Sequence, residues 1–234
     1  RLELKFCVPD LGAISALEVA RAYLEPEPLA QGYRQRVTSL YLDTPELMFL
    51  SWHRERVGAR YKLRIRGYGE LPASTLFAEL KRKTGSVGCK YREAFHAQDL
   101  GDIVERCRQE YGATPKTLVS GEREALRDPI SGTAVTVDRA LRYQPIRHGD
   151  MVGDSHAWRP LPLPPCSSID PVIVELKYEA EPPAWMAELI DRLAPWRVSF
   201  SKYATAMTCA NGEVPEMAPT KSASTDAPAL PSHE

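Results

Sequence analysis

The chain has 234 residues, 43% of them hydrophobic, and a formal net charge of −1; it can bury a sizeable core, and a generally basic, non-specific nucleic-acid coat is excluded. Five scattered cysteines (Cys7, Cys89, Cys107, Cys166, Cys209) form no CxxC and five histidines do not cluster, which argues against a disulfide framework or zinc site and for a reducing compartment. No apolar run approaches the roughly 18–20 residues that span a bilayer and the first five residues alternate in charge, so no transmembrane segment or signal peptide is read and a cytoplasmic domain is expected.

RLELKFCV (1–8) alternates Arg1, Glu3 and Lys5 with Leu2, Leu4 and Phe6, the period-two signature of a strand. Pro9 and Asp10 close it and open a helix in which Ile14, Leu17, Ala20 and Leu24 repeat at helical spacing, ended by EPEP (25–28). VTSLYLDT (37–44) reads as a second strand, followed by a short helical stretch from Leu47 to Trp52. Three strands come next, at 59–68, 75–84 and 87–95, the last two joined by a tight turn at Thr84-Gly85-Ser86. Residues 99–111 read as a helix with Ile103, Val104, Cys107 and Tyr111 on one side, and strands follow at 117–126 and 133–143. The proline-rich stretch 147–171 is expected to be a long surface loop. VIVELKY (172–178) is another strand, Pro182-Pro183 opens a helix with a Trp185, Leu189, Ile190 and Leu193 stripe, and Ser201 begins a last helix to Ala210. Residues 211–234 turn to Pro, Ala, Ser and Thr and are expected to be a disordered tail. Eight strands with interposed helices predict an α+β fold whose mostly antiparallel sheet forms a barrel or sandwich.

The strands carry unusual charge. KLRIR (62–66) sets Lys62, Arg64 and Arg66 against Leu63 and Ile65, and AELKRK (78–83) sets Glu79, Lys81 and Lys83 against Leu80. Lys90 with Arg92, and Glu175 with Lys177, repeat the arrangement. One polar face is ordinary for an antiparallel sheet wet on one side. Here, however, one sign repeats along a strand, although like-charged neighbours across strands cost ~0.2–1 kcal/mol each. The amphipathic helices also need the apolar strand faces as partners. With helices outside, the charged faces converge on a cavity that is strongly unfavourable when empty and that a polyanion neutralises. Glu3, Glu79 and Glu175 each stand two residues before a lysine. They read either as carboxylates for Mg²⁺ or Mn²⁺, which takes one or two of them with phosphate oxygens and water, or as plain charge balance. In FSKYATAM (200–207), Ser201 is placed to cap a helix whose first-turn N–H groups, with Lys202, make an anion site. KTGS (83–86) lacks the glycine loop of a Walker A motif. The strands also lack the exposed aromatic platform of a single-strand binder, so no nucleic-acid partner is expected.

RLELKF, TSLYLDTP, YKLRIRGYG, FAELKRKTG with CKYRE, GEREAL, VTVD, VIVELKY and FSKYATAM, in this order over residues 1–210, resemble the VTC-type polyphosphate polymerase domain of the triphosphate tunnel metalloenzymes. The resemblance implies an eight-stranded antiparallel tunnel with a basic interior and helices outside, one catalytic domain spanning 1–210. ATP and inorganic polyphosphate are the implied partners and divalent Mn²⁺ or Mg²⁺ the cofactor, the γ-phosphate of ATP passing to a growing chain. By motif position, Lys5, Lys62, Arg64, Arg66, Lys81, Lys83, Lys90 and Arg123 are similar to phosphate ligands. Lys177 joins them on its strand face, Ser201 and Lys202 resemble a terminal-phosphate clamp, and Glu175 matches the metal-binding glutamate. Arg64, Arg66, Lys81 and Lys202 are expected to act on the transferring group, and Glu3 and Glu79 to join Glu175 on the metal. Three positions depart from the pattern. Arg1 replaces the first acid of ExExK, which disfavours a hydrolase; Ala134 and Ser199 stand where relatives often carry basic residues, with Arg139, Arg142 and Arg197 as candidate substitutes. The alternatives to a polymerase are a tunnel triphosphatase acting on triphosphate or a nucleoside triphosphate, and a catalytically silent polyphosphate-binding module.

Overall fold

The computed structural model describes residues 2–27, 34–69, 73–84, 87–146, 157–166, 168 and 170–215. The turn expected at Gly85-Ser86, residues 147–156 of the expected loop, and the tail from residue 216 lie outside the described residues. Ten strands are seen: β1 (Leu2–Pro9), β2 (Glu25–Pro26), β3 (Arg34–Asp43), β4 (Ala59–Tyr68), β5 (Thr75–Thr84), β6 (Val87–His96), β7 (Thr114–Arg127), β8 (Ala134–Pro145), β9 (Arg159–Pro160) and β10 (Pro171–Tyr178). The helices are α1 (Asp10–Arg21), α2 (Met48–Arg54), α3 (Leu100–Tyr111), α4 (Ala184–Leu193) and α5 (Lys202–Ala210). The eight long strands are the eight expected. The two-residue β2 lies within EPEP and pairs with β7; β9 lies within the proline-rich stretch and pairs with β8.

All pairings are antiparallel, in the order β1-β10-β8-β7-β3-β4-β5-β6. Helices pack outside, as expected. α1 and α4 cover β1, β8 and β10 through Leu17, Met186 and Leu189, all essentially buried. On the far side, Phe49 of α2 and Ile103 and Cys107 of α3 join Leu40, Leu42, Leu63 and Ile65 of the sheet. In α1 the inward face is small: Ala13, Ala16, Leu17 and Ala20 are buried whereas Ile14 is 36% exposed. Spacing alone admitted Ile14 to the stripe, but the helix lies close on the sheet and the alanines permit that approach.

The sheet is not closed into the expected barrel among the described residues. β1 spends one edge on β10, and its other edge meets the chain after α4: Val198 N–H donates to the Lys5 carbonyl at 2.9 Å and Phe6 bridges Arg197. Part of the edge that β6 would need, at Lys5 and Phe6, is thus already paired. Curvature still brings β5, next to the far edge, over β1, since Lys81 on β5 reaches Glu3 on β1 at 3.3 Å.

Two local devices hold the scaffold. Gly121 sits at a register shift in β7, where a Cβ would lie 2.6 Å from Leu141 Cδ2 and 2.9 Å from the Arg139 carbonyl, so only glycine allows β7 and β8 to approach. The LDTP motif ends β3 in Asp43, which is fully buried. Its Oδ1 accepts from the Thr44 and Phe49 N–H groups at 2.8 and 2.9 Å, and its Oδ2 from Leu50 N–H at 2.9 Å and the Tyr203 hydroxyl at 2.5 Å. One carboxylate therefore starts α2, which has no side-chain cap at its own N-terminal residue, Leu47, and ties it to α5.

Candidate functional site: a cation-lined cavity

The concave face of the sheet holds a cavity of about 330 Å³, lined, among the described residues, by eleven lysines and arginines and four glutamates. Strand register explains the arrangement. Tyr41, Arg64, Glu79 and Arg92 are direct neighbours across β3, β4, β5 and β6, and Lys62, Lys81 and Lys90 form the adjoining row. On the opposite wall Lys5, Glu175, Thr136 and Ala125 make one row, and Glu3, Lys177, Ala134 and Arg127 the next.

Most of these cations are held by acids. Glu79, 2% exposed, is held by Arg64 through Nε at 2.7 Å and Nη2 at 2.6 Å, by Lys90 at 2.7 Å, by Arg92 at 3.3 Å and by Arg66 at 4.0 Å. Arg92 also lies on the Phe77 ring at 3.8 Å. Arg66 Nε donates to Ser39 Oγ at 3.0 Å. Arg123 grips Asp138 with two N–H groups, both at 2.8 Å, and Lys202 contacts the same carboxylate. Lys5 meets Glu3 at 3.2 Å and Glu175 at 3.3 Å and donates to the Phe200 carbonyl at 3.1 Å; Lys177 meets Glu175 at 2.6 Å. Ser201 caps α5, its Oγ accepting from Ala204 N–H at 3.4 Å and from Lys62 Nζ at 3.0 Å.

Lys62 differs from its neighbours: among the described residues no carboxylate lies within ion-pair distance of it. Burial, then Lys5 and Lys81, push its pKa down to about 7. In Lys5, by contrast, Glu175 and Glu3 more than offset burial and the pKa rises. Burial and Glu175 work against ionisation of Glu3, yet Lys5, Lys177 and Lys81 bring it down to about 2. Glu79, Asp138 and Glu175 are likewise held below the usual range against burial, by Arg64, Arg123 and Lys177 first among their cationic neighbours.

The sign for ligand binding follows from Lys62. Above about pH 7 its amine is largely neutral in the empty cavity, and an entering phosphate favours the ammonium, so binding takes up a proton and weakens as pH rises. Calorimetric binding of inorganic tripolyphosphate between about pH 6 and 8.5 should show this proton uptake, and Lys62→Met should remove it.

The cavity gathers Lys5, Lys62, Arg64, Arg66, Lys81, Lys90, Arg123, Lys177, Ser201 and Lys202, with Glu3, Glu79 and Glu175. Lys83 is not among its lining residues; it sits further along β5 opposite Arg60 and Gly88. Ala134 does line the cavity, but the cations beside it are its register partners Lys177 and Arg127, not the expected substitutes. Arg139 turns to Asp10 at 2.6 Å and Arg142 lies over Trp158, and neither these nor Arg197 line the cavity. Ser199 is exposed and outside it. Sequence reasoning also left Arg92, Arg127, Tyr41 and Asp138 out of the site. Arg92 shares a strand face with Lys90, a usable signal, whereas nothing in VTVD marks Asp138 as the partner of Arg123 and Lys202.

Among the described residues no group of three or more His, Cys, Asp or Glu is placed to hold a metal ion. Glu3 and Glu175, which share the Lys5 ammonium, fit the one or two carboxylates that a hard divalent cation takes alongside phosphate oxygens. Glu79 is the most crowded of the three expected carboxylates, with four cations on it against three on Glu175 and two on Glu3.

These features define a curved antiparallel sheet with a cation-rich concave interior. The family model described as the VTC domain matches residues 1–109 and 94–211, and the chain belongs to that family. No curated protein matches the sequence. A solved structure of a putative adenylate cyclase from Bacillus halodurans shares the fold at 14% identity, covering 85% of this chain and 92% of its own, with a TM-score of 0.50. The PH1819 protein from Pyrococcus horikoshii OT3 aligns at 13% identity over 91% and 98% of the two chains, TM-score 0.49. A putative adenylate cyclase from Vibrio parahaemolyticus aligns at 14% over 87% and 95%, TM-score 0.47. No helix among the described residues is long and apolar enough to cross a membrane.

Proposed function

We propose that the protein is a polyphosphate polymerase that transfers the γ-phosphate of ATP to a growing polyphosphate chain within this cavity. The observation that carries the reading is the excess of cations over carboxylates around the cavity, eleven against four in its lining among the described residues, or five with Asp138, which pairs with Arg123 and Lys202, in a member of the VTC family. Phosphoryl transfer asks for in-line positioning and for neutralisation of charge on the phosphate oxygens, with little covalent chemistry from the protein. Arg64 and Arg66 grip those oxygens in bidentate fashion, while Lys81 and Lys202 act as point charges. The N-terminus of α5, with Ser201 and Lys202, receives a terminal phosphate. Glu175 and Glu3 would hold Mn²⁺ or Mg²⁺, which when bound neutralises the nucleotide's phosphates.

The test is incubation with ATP and Mn²⁺, products being resolved on a polyphosphate gel beside Glu175→Gln. A ladder from the unaltered protein that the variant fails to make is the expected result. Free phosphate without a ladder would identify a tunnel triphosphatase instead, and polyphosphate binding without turnover a silent module.

A further inference from the structure

We propose that Glu79 is a resident counter-anion that occupies the phosphate grips of the empty cavity and competes with the incoming polyanion for them. The inference rests on the cavity being a phosphate site, and deepens that reading by giving Glu79 a positioning role in place of a metal-binding one.

Glu79 projects from the middle of β5 and is essentially buried. Arg64 and Arg92 are its direct cross-strand neighbours on either side. Arg64 presents Nε and Nη2 to the same carboxylate oxygen, Oε2, at 2.7 and 2.6 Å. Lys90 and Arg92 meet the other, Oε1, at 2.7 and 3.3 Å. A guanidinium on one anionic oxygen and an ammonium on the other are the same charged groups that would meet the oxygens of a phosphate. The carboxylate lines the cavity but is only 2% exposed and is held by cations from both neighbouring strands, so it is expected to stay in place when substrate arrives.

Two consequences follow. In the empty cavity, Glu79 keeps the guanidinium of Arg64 aimed and offsets repulsion among four cations. In the filled cavity those cations serve two anions, so each phosphate is held less tightly than bare charge would hold it. For an enzyme whose product must shift by one unit after each transfer, moderated binding is useful, since binding that holds substrate, transition state and product alike adds nothing to turnover. A purely structural glutamate predicts the opposite sign, because its loss would scatter the grips and weaken binding.

The experiment measures metal-free binding of inorganic tripolyphosphate to the wild type and to Glu79→Gln by calorimetry, with thermal unfolding of both followed with and without the ligand. Glu79→Gln, which keeps the shape and removes the charge, is expected to bind about tenfold tighter with a steeper salt dependence. It should melt earlier than wild type when empty and gain more on adding tripolyphosphate. Should the variant fold poorly alone, refolding with tripolyphosphate is expected to rescue it. Wild-type binding with equal or weaker binding by Glu79→Gln would overturn the inference and leave the phosphate site standing, as would a variant that tripolyphosphate fails to rescue. If the wild type itself binds no tripolyphosphate, the phosphate-site reading falls and this inference falls with it.

Discussion

Arg64→Ala is expected to lower the rate of phosphoryl transfer by about 100- to 1,000-fold, the loss typical of deleting one preorganised charge-stabilising donor from an active site. Arg64 lies at the centre of the cation rows, between Tyr41 and Glu79. Its Nε and Nη2 are fixed on Glu79 and its Nη1 lies 3.4 Å from the Tyr41 hydroxyl, so the guanidinium keeps one orientation before substrate enters. Arg64→Lys should recover little, because an ammonium cannot reproduce the planar fork. The fold should survive, since Lys90, Arg92 and Arg66 still neutralise Glu79. Initial rates of polyphosphate synthesis, with melting temperature as the control, are the measurement. A variant within threefold of wild type in rate would remove Arg64 from the chemistry.

Asp43→Ala is expected to cost about 3–5 kcal/mol of stability. The carboxylate satisfies three backbone N–H groups and the Tyr203 hydroxyl, and a buried donor left without a partner costs about 1–3 kcal/mol. Partial relaxation and water entry keep the total below the sum, near the upper end of single-residue effects. Because Tyr203 follows Ser201 and Lys202 in α5, loosening this contact should also blur the terminal-phosphate clamp. Urea unfolding reads the loss as a lower midpoint at unchanged slope, and an unmoved midpoint would show that water replaces the carboxylate without penalty.

Alternation in KLRIR was enough to divide Leu63 and Ile65, now in the core, from Lys62, Arg64 and Arg66, now on the cavity, because strand periodicity is a local property. The Ser201 cap was equally readable, since a cap involves residues three apart. The partnerships that set the chemistry were not. Whether Glu79 faces a metal or four cations depends on which strands flank β5. That Asp138 pairs with Arg123 and Lys202 depends on a bulged register between β7 and β8 and on where α5 lands. Arg127 became a cavity cation through its pairing with Ala134, a neighbour that strand order supplies and local sequence does not. The open edge was equally hidden: residues 197–198 take up part of the outer edge of β1, and nothing in their sequence announces it.

That open edge alters the topology of access. A fully hydrogen-bonded ring can be threaded only from its ends, and a long chain inside it must slide out lengthwise. Here the open side is spanned by the Lys81–Glu3 ion pair, which joins β1 to β5, the strand next to the far edge, and salt screens a partly exposed contact of this kind. A sheet left open between β1 and β6, like a split sleeve, would let a flexible polyanion be laid in sideways as well as fed through the mouth.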